Sequence, residues 1–193
     1  MLQGVPVAEG RHKAGAEETA FLRKGRLMGY TTSFRGKAEI NPPLTAAQIL
    51  YLRKFCNTRR MKRDPVLALQ LPDPLGKALN MPIGDEAGYF VGGTGHSGQD
   101  RDLSVLDFNQ PPVGQPGLWC SWDVTDDGRY LQWSGAEKFY DYVEWLRYLV
   151  EHFFSAWGCV LNGEIEWRGE HREDTGVIKV QCNVVSSIKA PHP

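Results

Sequence analysis

The chain has 193 residues, with 22 Lys+Arg against 23 Asp+Glu, 41% apolar and 23% charged residues. That length suits one domain, or one domain with tails, and the composition excludes wholesale disorder. No apolar run approaches the ~20 residues of a membrane span, and the N-terminus lacks the continuous apolar stretch of a secretory signal, so a cytoplasmic protein with no membrane partner is expected.

Residues 1–27 (Gly, Ala, Glu and Lys without apolar period) read as an extension, with Met28 as the expected natural start. Residues 28–188 read as a single domain with an irregular insertion at 64–117, and 189–193 as a tail. From Tyr30 to Ile40 the residues alternate, with Tyr30, Thr32, Phe34, Gly36, Ala38 and Ile40 on one side, the period of a half-buried strand. Asn41-Pro42-Pro43 stops it. Thr45 then stands as a helix N-cap with Gln48 at the capping-box position and Leu44 placed to staple onto Ile49. Ile49, Leu52, Phe55 and Cys56 form the buried stripe of that helix, which should end near residues 58–60.

Residues 64–117 carry several prolines, one helical turn at 75–79 and a glycine-rich run at 88–98. Order returns at Leu118. Cys120, Trp122 and Val124 point inward, Asp126-Asp127-Gly128 makes a hairpin turn, and 129–133 forms the return strand. Ser134, with Glu137 three residues on, predicts a second helix start. Its stripe is Phe139, Val143, Leu146, Val150 and Phe153, widened by Trp145 and Leu149. A closing hairpin follows, with Cys159, Leu161, Gly163, Ile165 and Trp167 inward on one strand. Ile178, Val180, Cys182 and Val184 point inward on the other, which is read as one run over 177–185. The predicted order β-α-(loop)-β-β-α-β-β is an α+β two-layer sandwich, with helices on one face of a mainly antiparallel sheet. It is a ferredoxin-like variant with an added strand.

Charge is polarised along the chain. Residues 1–63 hold 13 Lys/Arg and 4 Asp/Glu, and residues 64–193 hold 9 and 19. The basic half ends in a candidate patch, Arg59, Arg60, Lys62 and Arg63, suited to phosphates or an acidic surface; cations solvated at a helix C-terminus are the plainer reading. Cys56, Cys120, Cys159 and Cys182 lack zinc-ligand spacing and are expected as reduced thiols. No metal and no cofactor is expected.

Gly93-Thr-Gly95-His-Ser-Gly98 matches GxGxxG literally, but no helix period opens after Gly98, as a dinucleotide site requires. His96, Asp100 and Asp102 stand close enough to share a cation, but their spacing matches no standard metal motif, and a polar loop whose Asp residues cap turns and pair with Arg101 is the favoured reading. Glu164 and Glu166 share a strand face and are expected to pair across the hairpin with Lys179 rather than act as an acid/base pair. The sequence contains no hydrolase elbow, zincin helix or kinase set. His96, Gln99, Asp100, Arg101, Trp119 and Tyr140 are the candidate ligand or partner contacts; no catalytic residue is assigned.

Several stretches together carry a resemblance: Met-Gly-Tyr-Thr-Thr (28–32), Thr-Arg-Arg-Met-Lys-Arg (58–63), Gly-Gln-Asp-Arg-Asp (98–102), Gly-Gln-Pro-Gly-Leu-Trp-Cys (114–120), Glu-Lys-Phe-Tyr (137–140) and Leu-Asn-Gly-Glu (161–164). Over about 28–185 the chain resembles a family of small proteins of unknown function encoded by phages, prophages and some bacterial chromosomes. The resemblance implies a mobile-element setting and marks Met28 as the usual start. It implies an accessory protein that binds a host protein or nucleoprotein complex, such as one that inhibits an antiviral defence system. Two other expectations remain open: a small-ligand binder or enzyme using the 88–102 loop, and a nucleic-acid binder using the basic 53–63 segment.

Overall fold

The computed structural model describes residues 29–190, and residues from Thr31 onward form one unit. The expected extension and its start at Met28 lie outside the described residues. Strand β1 (Ser33–Asn41) alternates as its sequence requires, with Ala38 and Ile40 buried against exposed neighbours. Helix α1 (Ala46–Asn57) opens with the full capping box: the Gln48 amide donates to Thr45 Oγ1 at 3.4 Å, and the Thr45 amide donates to Gln48 Oε1 at 2.8 Å. These bonds satisfy two of the four amides that a helix start leaves without intrahelical partners. Leu44 and Ile49 both join the core.

Between α1 and the next long elements come β2 (Lys62–Arg63), the short helices α2 (Pro65–Ala68) and α3 (Pro74–Ala78), and β3 (Val105–Asp107), which pairs with β2. The hairpin β4 (Trp122–Val124) and β5 (Tyr130–Trp133) turns at Gly128, whose φ of +66° favours glycine. A β-carbon there would lie 2.7 Å from the Leu44 carbonyl oxygen, so the hairpin turn also seats the α1 entry.

Helix α4 (Tyr142–Leu149) continues through a wider turn, Val150–Phe154, closed by the Ser155 amide on the Val150 carbonyl. The expected start at Ser134 with Glu137 is corrected: α4 begins eight residues later, behind Asp141 in a left-handed conformation with no side-chain cap. Ser134 instead makes a local turn to the Ala136 amide, and Gly135 has φ +86°. Phe139 is buried as expected, but from irregular chain rather than from the helix. Its ring lies 5.4 Å from Trp122 and 5.9 Å from Phe34, in an aromatic nest closed by Tyr142.

Strands β6 (Val160–Arg168), β7 (Thr175–Gln181) and β8 (Val184–Lys189) complete the chain. The single run expected over 177–185 is two strands, because Cys182 (φ 47°) and Asn183 (φ 68°) form a turn with both central residues left-handed, as two-residue hairpins favour. Cys182 is therefore exposed rather than inward, and Val184 is exposed as well. The Asn183 side chain locks the turn by accepting from the Leu161 amide at 2.7 Å and donating to the Cys159 carbonyl at 2.9 Å. Strand β8 reaches one residue into the expected tail.

The six-stranded sheet has the order β4-β5-β1-β6-β7-β8 with every neighbouring pair antiparallel. Its first four strands, with α1 and α4, have the connectivity of the split β-α-β-β-α-β arrangement; β7 and β8 extend it, two strands where one was expected. The inward face of the sheet, α1 and α4 share one core in which Trp122, Trp145, Phe55, Phe153 and Phe154 are fully buried. The outward face is charged and cross-paired, with Lys179 2.9 Å from Glu164 and the Lys37 ammonium over the Tyr130 ring.

Candidate functional site

The insertion between α1 and β4 holds its shape through two buried arginines. Leaving α1, the chain runs extended from Arg59 to Asp64, and its backbone serves as a spine. The Arg60 amide bonds the Leu118 carbonyl, Lys62 bonds that of Gln110, and Asp64 bonds that of Ser104. Side chains fasten the loops between these points. Arg60 is fully buried: Nη2 donates to the Gly88 carbonyl at 2.8 Å, Nη1 to that of Phe90 at 3.1 Å, and Nε to Gln115 Oε1 at 3.2 Å. Its guanidinium plane lies 4.1 Å from the Phe55 ring. Burial lowers its pKa from the ordinary arginine value. Gln115 also donates to the Tyr148 hydroxyl, whose pKa burial pushes up to about 12.

Arg63 is the second staple. Nη1 donates to Asp102 Oδ2 at 2.8 Å and Ser104 Oγ at 2.6 Å, and Nη2 donates to the Gly98 carbonyl at 2.9 Å. Burial opposes the Asp102 charge, but Arg63 and the Ser104 hydroxyl and amide outweigh it and hold the carboxyl below its usual range. The planar five-donor fork of arginine suits this role, since a lysine would reach fewer acceptors at once. Within the literal GxGxxG stretch Gly98 serves the same compactness: it has φ +82°, and a β-carbon there would lie 2.5 Å from the Val91 carbonyl oxygen.

The candidate basic patch is thus taken apart by the fold. Arg60 and Arg63 face inward, and Lys62 pairs with Glu86. Arg59 donates to the Phe108 carbonyl at 3.0 Å and to Asn109 Oδ1 at 3.1 Å. Among the other candidates, His96 and Asp100 are exposed on the loop, and Gln99 is half-buried with its amide on the His96 carbonyl. Neither His96 nor Asp100 lines either of the two clefts described below. Arg101 packs its guanidinium 4.6 Å from the Phe108 ring. Phe108 also carries Arg59 at 4.3 Å, and Arg59 lies 5.8 Å from Trp119. The structure therefore brings Arg59 and Arg101 to Phe108, a residue that sequence reasoning missed, and places Arg59 near Trp119. Tyr140 is exposed on the segment that leads into α4.

Several apolar side chains of this stapled lobe face water. Leu103 is 94% exposed and Leu106 60%, on and beside β3, and Val66, Leu67 and Leu69 are exposed on and just after α2. The bond from the Asp64 amide to the Ser104 carbonyl joins the two segments. Leu103 sits between Asp102 and Ser104 in sequence, where no periodicity marks it as a surface anchor; only the inward turn of its neighbours toward Arg63 puts it outside.

A cleft of about 460 Å³ lies beside α4, lined by Asp141, Glu144, Tyr148, Glu151 and His152 and by Gly114 and Pro116. His152 Nδ1 is 2.6 Å from the Tyr89 hydroxyl, and its ring stacks 4.1 Å from Tyr148. A second, of about 470 Å³, lies at the β1, β6 and β7 ends with Arg35, Glu166 and Arg168 in its lining. Cys56 and Cys120 bury their sulfurs 3.5 Å apart, and burial pushes the Cys56 thiol well above its ordinary pKa. Among the described residues no group of His, Cys, Asp and Glu is arranged to hold a metal ion, and no helix is long and apolar enough to cross a membrane. Compared with known proteins, the chain matches no family model, and no curated protein or solved structure matches it significantly.

Proposed function

We propose that this protein acts by binding a macromolecular partner through the outer surface of the stapled lobe. In the setting its motifs imply, it is a phage or prophage accessory protein acting on a host protein or nucleoprotein complex, with inhibition of an antiviral defence as the outcome. The carrying observation is that Leu103, Leu106 and Val66 stand exposed on an insertion of short elements and loops that buried Arg60 and Arg63 hold in one shape. Covering such side chains gains roughly 25 cal/mol per Å² of apolar area removed from water. A surface already ordered forfeits less of that gain to entropy on binding. Arg59, Arg101 and Trp119 of the same insertion are residue types enriched at binding hot spots. The nucleic-acid reading loses its main cations, since Arg60 and Arg63 are buried and Lys62 is paired.

The test is affinity capture from host lysate with the wild-type chain and a Leu103→Asp/Leu106→Asp variant of equal thermal stability. A partner retained by the first and lost by the second supports the reading. Equal recovery by both, or none at any salt concentration, removes it.

A small-ligand reading draws on Tyr89, from the 88–102 loop, and its contact with His152 in the α4 cleft. It expects a screen of small amines and carboxylates to raise the melting temperature of the wild-type protein but not of a His152→Ala variant. A flat screen removes it.

A further inference from the structure

The two edges of the six-stranded sheet are finished differently. At β4 the outward carbonyl of Val124 is covered, accepting from Arg53 Nη2 at 2.6 Å and Nε at 3.2 Å, and Arg53 also pairs with Asp123 and Asp126. That edge is three residues long and screened by charge. The β8 edge is six residues long, Val184-Val-Ser-Ser-Ile-Lys189, with no proline and no charge before Lys189, which pairs with Asp174. Sheet edges left in that state are templates for another strand, and proteins that avoid such pairing use charge, proline or bulges to do so.

The ladder between β7 and β8 determines which peptide groups are on offer. The Ala190 amide donates to the Thr175 carbonyl, so residues at two-residue steps from it, Ile188, Ser186 and Val184, direct their peptide groups at β7. Val185 and Ser187 direct theirs away from the sheet, and among the described residues no strand pairs with them.

We infer that β8 pairs antiparallel with β8 of a second copy of this chain, joining two six-stranded sheets into one across a two-fold axis at Ser186. Strand β8 is complementary to itself about Ser186. With Ser186 opposite itself, Val185 and Ser187 exchange hydrogen bonds with Ser187 and Val185 of the second copy. On the open face Val184 lies opposite Ile188 of the second copy. Ile188 already neighbours Val177 across β7, so each Val177 and Ile188 continues into the other copy's Val184 as an apolar row. The two lysines at position 189 fall three residues to either side of the axis, about 20 Å apart at ~3.4 Å per residue, so no like charges meet in the seam.

Sedimentation velocity over a concentration series, with amide hydrogen exchange on the same full-length samples, tests the pairing. The wild-type chain is expected to dimerise, and the Val185 and Ser187 amides to gain protection as concentration rises while Ser186 and Ile188 stay protected throughout. Ser187→Pro removes an outward donor without touching the β7 ladder and is expected to be monomeric. Ile188→Lys places a charge opposite Val184 of the second copy and is expected to lose the dimer as well, which keeps the test decisive should the proline variant misfold. A wild-type chain that stays monomeric at millimolar concentration overturns the inference. So does a dimer that survives Ile188→Lys with rapidly exchanging Val185 and Ser187 amides.

Discussion

Replacing Arg63 by methionine tests whether a buried guanidinium organises the insertion. The variant keeps an unbranched stem against Phe90, whose ring lies 5.0 Å from the guanidinium, and removes only the donors. Four acceptors are affected. Ser104 Oγ keeps its bond to Asp102 Oδ1, Asp102 is 31% exposed and regains water, and the Gly98 and Asp100 carbonyls lose their arginine donor. A charge-assisted bond contributes about 1.5–3 kcal/mol, and an orphaned buried acceptor costs about 1–3 kcal/mol. Relief of the desolvation of a side chain only 3% exposed offsets part of the sum. The expected net loss is about 2–4 kcal/mol, or roughly 5–15 °C in melting temperature for a domain of this size. Urea unfolding followed by circular dichroism measures the loss, and hydrogen exchange locates it: amides of 98–104 should exchange faster than those of β1 and β6. Arg63→Lys should fall in the same direction, because an ammonium cannot fork to these acceptors. The loss is also pH-dependent. Since the Asp102 carboxyl titrates lower in the folded chain, its stabilisation is complete above the unfolded carboxylate value near ~4 and disappears as pH falls through the folded value. The gap between wild type and variant should therefore narrow in acid. A loss below about 0.5 kcal/mol at neutral pH, the range of ordinary surface substitutions, with unchanged exchange at 98–104, would refute the staple.

Three further outcomes follow from the packing. Gly128→Ala forces a left-handed residue to carry a β-carbon 2.7 Å from the Leu44 carbonyl oxygen, and should cost about 1–3 kcal/mol in chemical denaturation. Alkylation of the native chain by iodoacetamide, followed by mass spectrometry, should modify Cys182 first and leave Cys56 and Cys120 until the chain unfolds, because the latter are buried and the Cys56 thiol is held protonated. Leu103→Asp alone should leave the melting temperature within the small range of surface changes, since the side chain touches little of the fold; a large drop would mean that Leu103 packs against the protein.

Much of the architecture could be read from residue order because it rests on local rules. Alternation through β1, the Thr45–Gln48 box and the Asp127-Gly128 turn each involve neighbours a few residues apart, and each is in place. Where a local rule competed with packing, packing prevailed. Ser134 and Glu137 have the letters of a capping box, yet Phe139 is drawn into the nest of Phe34, Trp122 and Tyr142, and α4 starts beyond it. The β7–β8 turn was hidden because Cys182 is a poor turn former by composition; Asn183 was the available signal, and its side-chain bonds to β6 are contacts across more than twenty residues. The site was least legible. A run of arginines after a helix reads as solvated charge, and only the convergence of Gly88, Phe90, Gly98 and Gln115 turns Arg60 and Arg63 inward. That same convergence, rather than any pattern in the sequence, leaves Leu103 and Leu106 facing water.

Photo-crosslinking in host cells, from a benzophenone side chain at position 106 and in parallel at position 179 on the open sheet face, addresses the binding surface most directly. Adducts to a host macromolecule from 106 and none from 179 are the predicted result; adducts from 179 with none from 106 would contradict a binding role for the stapled lobe.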